Sequence, residues 1–425
     1  MVESILETIT GLVDSLWPYI AAVVAIPAVS TAILAYVRRP KSAAAPRRGY
    51  LSRSELLRPP LRRPAYSDRM AYVLAEMSDL AYCQFESPSF LEEAGATALD
   101  IQTPDEMTEF LGGFAANLLG RERALGKDFL RQVLEGKGFA LLDVLDIADT
   151  QGFVCKRDKG TEPYLVIAFR GTEKKVSDWL TDANCVPRPE DEGSGKVHTG
   201  FWKAMAENQD QRTGETIEAK IRRITEEAAQ DGPLPLFITG HSLGGALALL
   251  ATKLVAPDVD GACYTFGAPR VANYEYFSAV KTPVYRVVNS SDIVPRVPPG
   301  AGLEGVLLIL RGLAWVLSFA PPVVSLLNKL EESLDRLNGY RHFGDLRYLS
   351  DVGEGRFEQV RLLTNPPAID RVTWMWRRIA KSALMPIRSH NMVIYRKKLE
   401  EIAGRRNEED LQEEAGDSVA LSAVQ

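Results

Sequence analysis

The chain has 425 residues, 46% of them hydrophobic and 25% charged, enough to build more than one ordinary domain around a substantial core. Its net charge of -6 is mild and argues against nucleic acid as a general partner. Four scattered cysteines (Cys83, Cys155, Cys185, Cys263) without a CxxC pair suit a reducing compartment, and no HExxH, GxxxxGK[ST] or strand-linked GxGxxG points to a metal or a nucleotide.

Residues 1–14 form a short segment that carries Glu3, Glu7 and Asp14. Residues 15–37, "SLWPYIAAVVAIPAVSTAILAYV", then run 23 positions without a charge, long enough for a transmembrane helix with Trp17, Tyr19 and Tyr36 as interfacial anchors. A cleaved leader is the rival reading, but it would begin basic and have a shorter apolar run. Residues 38–69 are an Arg/Pro-rich linker with ten basic residues against Glu55 and Asp68. Basic flanks stay on the cytoplasmic side, so the expectation is a single-pass protein with its main domain in the cytosol. The linker either touches anionic headgroups or is a disordered spacer.

From Met70 the pattern becomes globular, and residues 70–405 are read as one domain. "MAYVLAEMSDLAYCQF" places Met70, Val73, Leu74, Met77, Leu80 and Ala81 on one helical face. The apolar runs "YLVIAF" (164–169), "LFIT" (236–239), "CYTF" (263–266) and "VYRVV" (284–288) read as strands, separated by helical stretches at 200–230 and 244–255. Such alternation predicts an α/β fold with a mostly parallel sheet covered on both faces. Residues 406–425 turn acidic and read as a disordered tail.

Within this frame, "LFIT-GHSLG-GALALLATKLV" is a strand, a turn and a helix centred on Ser242. That is the setting of a nucleophile elbow, in which a tight turn lifts the serine hydroxyl clear of the sheet. Gly240 and Gly244 let strand and helix backbones pass closely, and the helix aims its positive end at the site. Taken by itself the stretch is equally a polar residue where a buried helix begins.

Five motifs taken together settle that choice. "AFRGT" (168–172), "VHTGF" (197–201), "GHSLGGALA" (240–248), "TFGAPRVAN" (265–273) and "SSDIVPRVPP" (290–299) follow one another in the order found in the fungal-type class 3 lipases, which the chain resembles from about Met70 to Arg405. The resemblance implies an α/β-hydrolase fold with nucleophile, acid and base in the order Ser242, Asp292, His390. Asp292 would orient the imidazole and stabilise imidazolium. Two downstream histidines compete for the base: His342 on a strand-like segment, and His390 on a loop that opens a helix, with Tyr395 nearby as the aromatic that the family places after its histidine. The loop position favours His390. His241 and His198 read as hydrogen-bonded scaffold residues, His241 pointing away from the nucleophile. The oxyanion would rest on the amides of Leu243 and Thr172. Residues 173–184 occupy the family's lid position, with Trp179 facing the site and Asp182 orienting Thr172. No metal or organic cofactor is implied.

Between Asp292 and His342 lies an apolar insertion, 301–337, whose longest uncharged run is broken by Pro321 and Pro322. A second membrane span there would put Asp292 and His390 on opposite sides of the bilayer, so the insertion is expected to cap the acyl pocket or dip into the interface. The expected function is a membrane-anchored serine lipase or esterase. Its partners would be a lipid ester substrate and membrane lipids, and the alternatives are a soluble-ester or thioester hydrolase and a non-catalytic interaction protein.

Overall fold

The computed structural model describes residues 50–61, 65–82, 127–148, 150–159, 162–171, 185–187, 195–290, 292–297, 339–352, 356–367, 370–371, 373–374 and 389–422. The expected membrane segment 15–37, residues 38–49 and 62–64 of the basic linker, Thr172, Trp179, Asp182 and the insertion 301–337 lie outside them. Among the described residues no helix is long and apolar enough to cross a membrane.

Helix α1, Asp68–Leu80, starts where the Ser67 hydroxyl accepts a hydrogen bond from the Met70 amide at 3.2 Å, filling one of the donors a helix start leaves open. It is buried on nearly every side rather than on the single face its apolar spacing suggests, because the sheet packs against one flank and the last helix against another. Helix α2, Lys127–Glu135, buries Leu130 and Leu134 and leads into a hairpin of β1, Phe139–Ile147, and β2, Thr150–Arg157. Strand β3 is Tyr164–Phe169, and the short β4, Cys185–Pro187, pairs only with β5, Lys196–His198. One helical turn, α3 (Thr199–Trp202), and helix α4 (Ile217–Ala228) precede β6, Leu236–His241. Helix α5, Leu243–Val255, follows at once, then β7, Gly261–Phe266, and β8, Val284–Asn289. Strands β9, Asp345–Leu349, and β10, Leu362–Thr364, complete the sheet before helix α6, Met392–Ser422.

Among the described residues, eight strands form a mixed sheet in the order β1-β2-β3-β6-β7-β8-β9-β10. The pairings from β3 through β9 are parallel, and those that attach β1, β2 and β10 are antiparallel. The parallel centre matches the expectation, but the antiparallel edges make the sheet mixed. The hairpin at one edge leaves little trace in the sequence because "FALLDVLDI" carries Asp143 and Asp146 on opposite faces and bulges between Leu141 and Asp143, which blurs the period of two.

Side chains alternate across the central strands and feed two separate cores. Val166, Ala168, Phe237, Tyr264 and Phe266 join α1 and α6 on one face. Leu165, Ile167, Phe169, Leu236 and Ile238 join α4 and α5 on the other. Strands buried on both faces read as continuous apolar runs, which is why "YLVIAF" and "LFIT" stand out in the sequence.

The acidic stretch 406–425, expected as a disordered tail, continues α6 as far as Ser422. Its residues are mostly strong helix formers, and Arg406 pairs with Glu409 and Asp410 along the helix while Arg69 reaches Asp410 from α1. Nearer its start, α6 is fixed to α1 by an ion cluster. Arg396 contacts Glu76 at 2.6 Å and Asp79 at 2.6 Å, and all three side chains are at most 11% exposed. Glu76 also accepts the Leu51 amide at 2.8 Å, and the Arg396 guanidinium lies over the Tyr50 ring at 4.9 Å. Removing one partner of a buried pair strands the others. Arg396→Ala should therefore lower the urea unfolding midpoint by the equivalent of about 3–5 kcal/mol, whereas an unchanged midpoint would show that the cluster contributes nothing.

Candidate active site

Strands β3, β6, β7 and β8 run parallel, and the turns beyond their carboxyl ends carry Arg170–Gly171, Ser242, Gly267 and Asp292 on one edge of the sheet. Ser242 lies directly between β6 and α5 with φ 58° and ψ -127°, a left-handed conformation that an L-residue adopts only when its surroundings impose it. Those surroundings are backbone. A Cβ at Gly240 would overlap the Gly244 carbonyl, and one at Gly244 would overlap the Phe169 carbonyl on β3. The Ser242 amide donates to the Phe266 carbonyl at 2.9 Å, tying the turn to β7.

Ser242 Oγ is 2.8 Å from His390 Nε2, and His390 Nδ1 is 2.9 Å from Asp292 Oδ2 and 3.0 Å from Oδ1. These three residues, singled out from the sequence, are brought into one chain of hydrogen bonds. The Asp292 carboxylate is fully buried, and three donors surround it: the His390 ring, the Val294 amide at 2.9 Å and the Tyr395 hydroxyl at 2.6 Å. Tyr395 in turn accepts the Asn289 amide at 2.9 Å. Burial first, and the Asp292 charge second, push the Tyr395 phenol well above its ordinary pKa, so it remains a donor. Gly267, at φ +59°, leaves space for this arrangement, since a Cβ there would meet Asp292 Oδ2 at 2.6 Å and His390 Nδ1 at 3.1 Å.

His342, the competing base, is elsewhere. Its Nε2 lies 2.6 Å from the Pro295 carbonyl and donates to it. Burial, reinforced by Arg286, Arg270 and Arg371, holds its pKa well below the ordinary value, so the ring is a neutral donor without the carboxylate that orients His390. His198 accepts the Gly200 amide at 3.1 Å and caps α3, consistent with a scaffold role.

Leu243 is the first residue of α5, where the helix leaves its amide without an internal partner, next to the Ser242 hydroxyl. Thr172, Trp179 and Asp182 lie outside the described residues. The chain leading to Thr172 passes beside the serine, because a Cβ on Gly171 would sit 3.2 Å from that of Ser242. Chemically, this arrangement can take a proton from the Ser242 hydroxyl and hold the resulting imidazolium against a buried carboxylate.

Three neighbours escaped the sequence reading. Tyr395 was noted only as an aromatic, and nothing local signals that its hydroxyl reaches Asp292. Tyr82, just past α1, and Asn289, at the end of β8, contact His241 and Ser389 respectively. Such contacts span 100 residues or more and leave no periodic trace.

The sequence profile of the lipases of class 3 matches residues 166–301. A lipase of Rhizomucor miehei is 34% identical over 167 residues, which cover 36% of this chain and 42% of that one. A chloroplastic phospholipase A1-Igamma2 of Arabidopsis thaliana is 29% identical over 235 residues, covering 44% of each. Triacylglycerol lipase OBL1, also of Arabidopsis thaliana, is 32% identical over 195 residues, covering 35% of this chain and 37% of that one. Alignment with the crystal structure of a Rhizopus microsporus var. chinensis lipase covers 68% of this chain and 85% of that one, at 20% identity and a TM-score of 0.37. Residues 166–301 thus match the class 3 lipase family, and the chain spans less than half the length of these three curated relatives.

Deleting the Tyr395 hydroxyl removes one charge-assisted donor from a buried carboxylate, an effect of about 1.5–3 kcal/mol. Tyr395→Phe should slow fluorophosphonate labelling of Ser242 about 10- to 100-fold, by the rule of tenfold per 1.4 kcal/mol. An unaltered labelling rate would show that Asp292 does not depend on this bond.

Proposed function

We propose that the protein is a serine hydrolase of the α/β-hydrolase fold that cleaves acyl ester bonds of lipids. The observation that carries this reading is the unbroken link from Ser242 through His390 to the buried Asp292, mounted on a positive-φ turn between strand and helix.

In the proposed reaction the Ser242 hydroxyl attacks the ester carbonyl while His390 Nε2 takes its proton. Asp292 keeps His390 Nδ1 protonated, so Nε2 is the free acceptor, and it stabilises the imidazolium once formed. The carbonyl oxygen, now negative, rests on the Leu243 amide, with the Thr172 amide proposed as the second donor because the residue before it, Gly171, passes beside Ser242. Collapse of the tetrahedral intermediate breaks the ester C–O bond as His390 returns its proton to the leaving alcohol. Water, deprotonated by the same nitrogen, then attacks the acyl-enzyme and releases the acid and the free Ser242.

The lipid class follows from apolar segments and from relatives. Matched proteins are named as lipases and as a phospholipase A1, so a glyceride or a phospholipid is the proposed substrate. The charge-free stretch 15–37 and its basic flank support a single membrane anchor with the hydrolase on the cytoplasmic side. Trp179 and Asp182 would belong to a lid, and residues 301–337 would cap the acyl pocket or enter the interface.

Fluorophosphonate should label the wild type and not Ser242→Ala, and the same substitution should remove ester hydrolysis down to background. A folded wild type that takes no label would overturn the hydrolase reading. Vesicle phospholipid or emulsified glyceride should be cleaved faster than a short-chain soluble ester. Deleting residues 301–330 should reduce the former selectively, and equal rates with and without them would remove the cap.

A further inference from the structure

His390 stands on a short turn before α6, and two consecutive peptide carbonyls of that turn are gripped by side chains. The Ser389 carbonyl accepts from Asn289 Nδ2 at 2.7 Å, and the His390 carbonyl lies 2.8 Å from His241 Nε2. Asn289 closes β8, three residues before Asp292, and His241 closes β6, one residue before Ser242. Each of these two strand ends therefore supplies one reacting side chain and one hold on the backbone of the base.

Both grips have a defined sense. Lys398 Nζ, which can only donate, reaches Asn289 Oδ1 at 2.7 Å, so the other amide atom facing Ser389 is the donor nitrogen. A peptide carbonyl can only accept, so His241 Nε2 carries a proton, and Nδ1 faces the Tyr82 hydroxyl at 2.8 Å. His241 is 5% exposed, and its ring lies 4.5 Å from the His390 ring at 31°. Both nitrogens of this buried ring are matched to partners, one of them on the turn that carries the base. The His241 ring, expected from the sequence to be a hydrogen-bonded scaffold residue, faces the base.

We infer that His241 is a positioning residue for His390, forming with Asn289 a two-point clamp on the backbone of the base. This rests on the hydrolase reading above. The ring of His390 must exchange a proton first with Ser242 and then with the leaving alcohol, and a displacement of about 1 Å can reduce such a step about 100-fold. The clamp restricts the turn while the ring keeps its hydrogen bonds to Asp292 and Ser242.

The test compares His241→Ala with His241→Gln in the full chain, with rates expressed per site titrated by fluorophosphonate. The Gln amide Nε2–H can reach where the imidazole Nε2–H stood, so it restores the hold without an imidazole. His241→Ala should lower kcat about 30- to 100-fold, with KM within about twofold of wild type. His241→Gln should recover to within about fivefold of wild type, and Asn289→Asp, which sets an acceptor against the Ser389 carbonyl, should resemble the Ala variant. An Ala variant within about threefold of wild type per active site, or a Gln variant no better than Ala, would overturn the clamp while leaving the hydrolase reading standing. A wild type with neither label nor turnover would overturn both.

Discussion

Burying a carboxylate completely is costly unless its oxygens are matched by donors, and the environment of Asp292 is organised by that requirement. Its donors come from three places: the Val294 amide on its own turn, the His390 ring, and the Tyr395 hydroxyl on α6. Satisfying the carboxylate therefore requires α6 to lie in one rotational setting over the sheet. That setting is the one the Arg396 cluster enforces one residue further along the helix. Electrostatic matching and helix docking are thus two aspects of a single constraint, and the serine–histidine link follows from it.

The second requirement is steric. Ser242 can hold a left-handed backbone only if the strand before it, the helix after it and the neighbouring β3 approach within the space that glycine allows. Behind the turn, Ser78 of α1 bonds to Thr239 of β6 at 2.8 Å, so the elbow is also fixed from its buried side. The strain at one residue is distributed over packing that involves both cores, which explains why the strand-turn-helix unit is so apolar on either side of Ser242.

How much of this could be read in the sequence depended on whether a feature was local. The central strands were legible because burial on both faces leaves an unbroken apolar run, and the serine turn because its glycines are forced by close backbone approach. Asp292 and His390 became legible only through the family resemblance, since an aspartate before a proline turn and a histidine before a helix are each commonplace alone. The edge hairpin stayed hidden because its bulge breaks the alternation. Net charge marks the stretch after residue 405 as acidic but says nothing about the i to i+4 pairing that supports α6 there. His241 was assigned correctly to the scaffold, yet its contact with the His390 carbonyl spans 149 residues and has no counterpart in any sequence pattern.

The Arg396 cluster joins residues 320 positions apart, and the base meets its nucleophile across 148. During synthesis the serine turn, its strand and its helix are all complete long before His390 leaves the ribosome. Until α6 settles against α1, the nascent chain carries a nucleophile with no base to activate it. Completion of the chemistry is then a report that the first and last helices of the domain have met. On the proposed reading the chain therefore stays inert until it is folded.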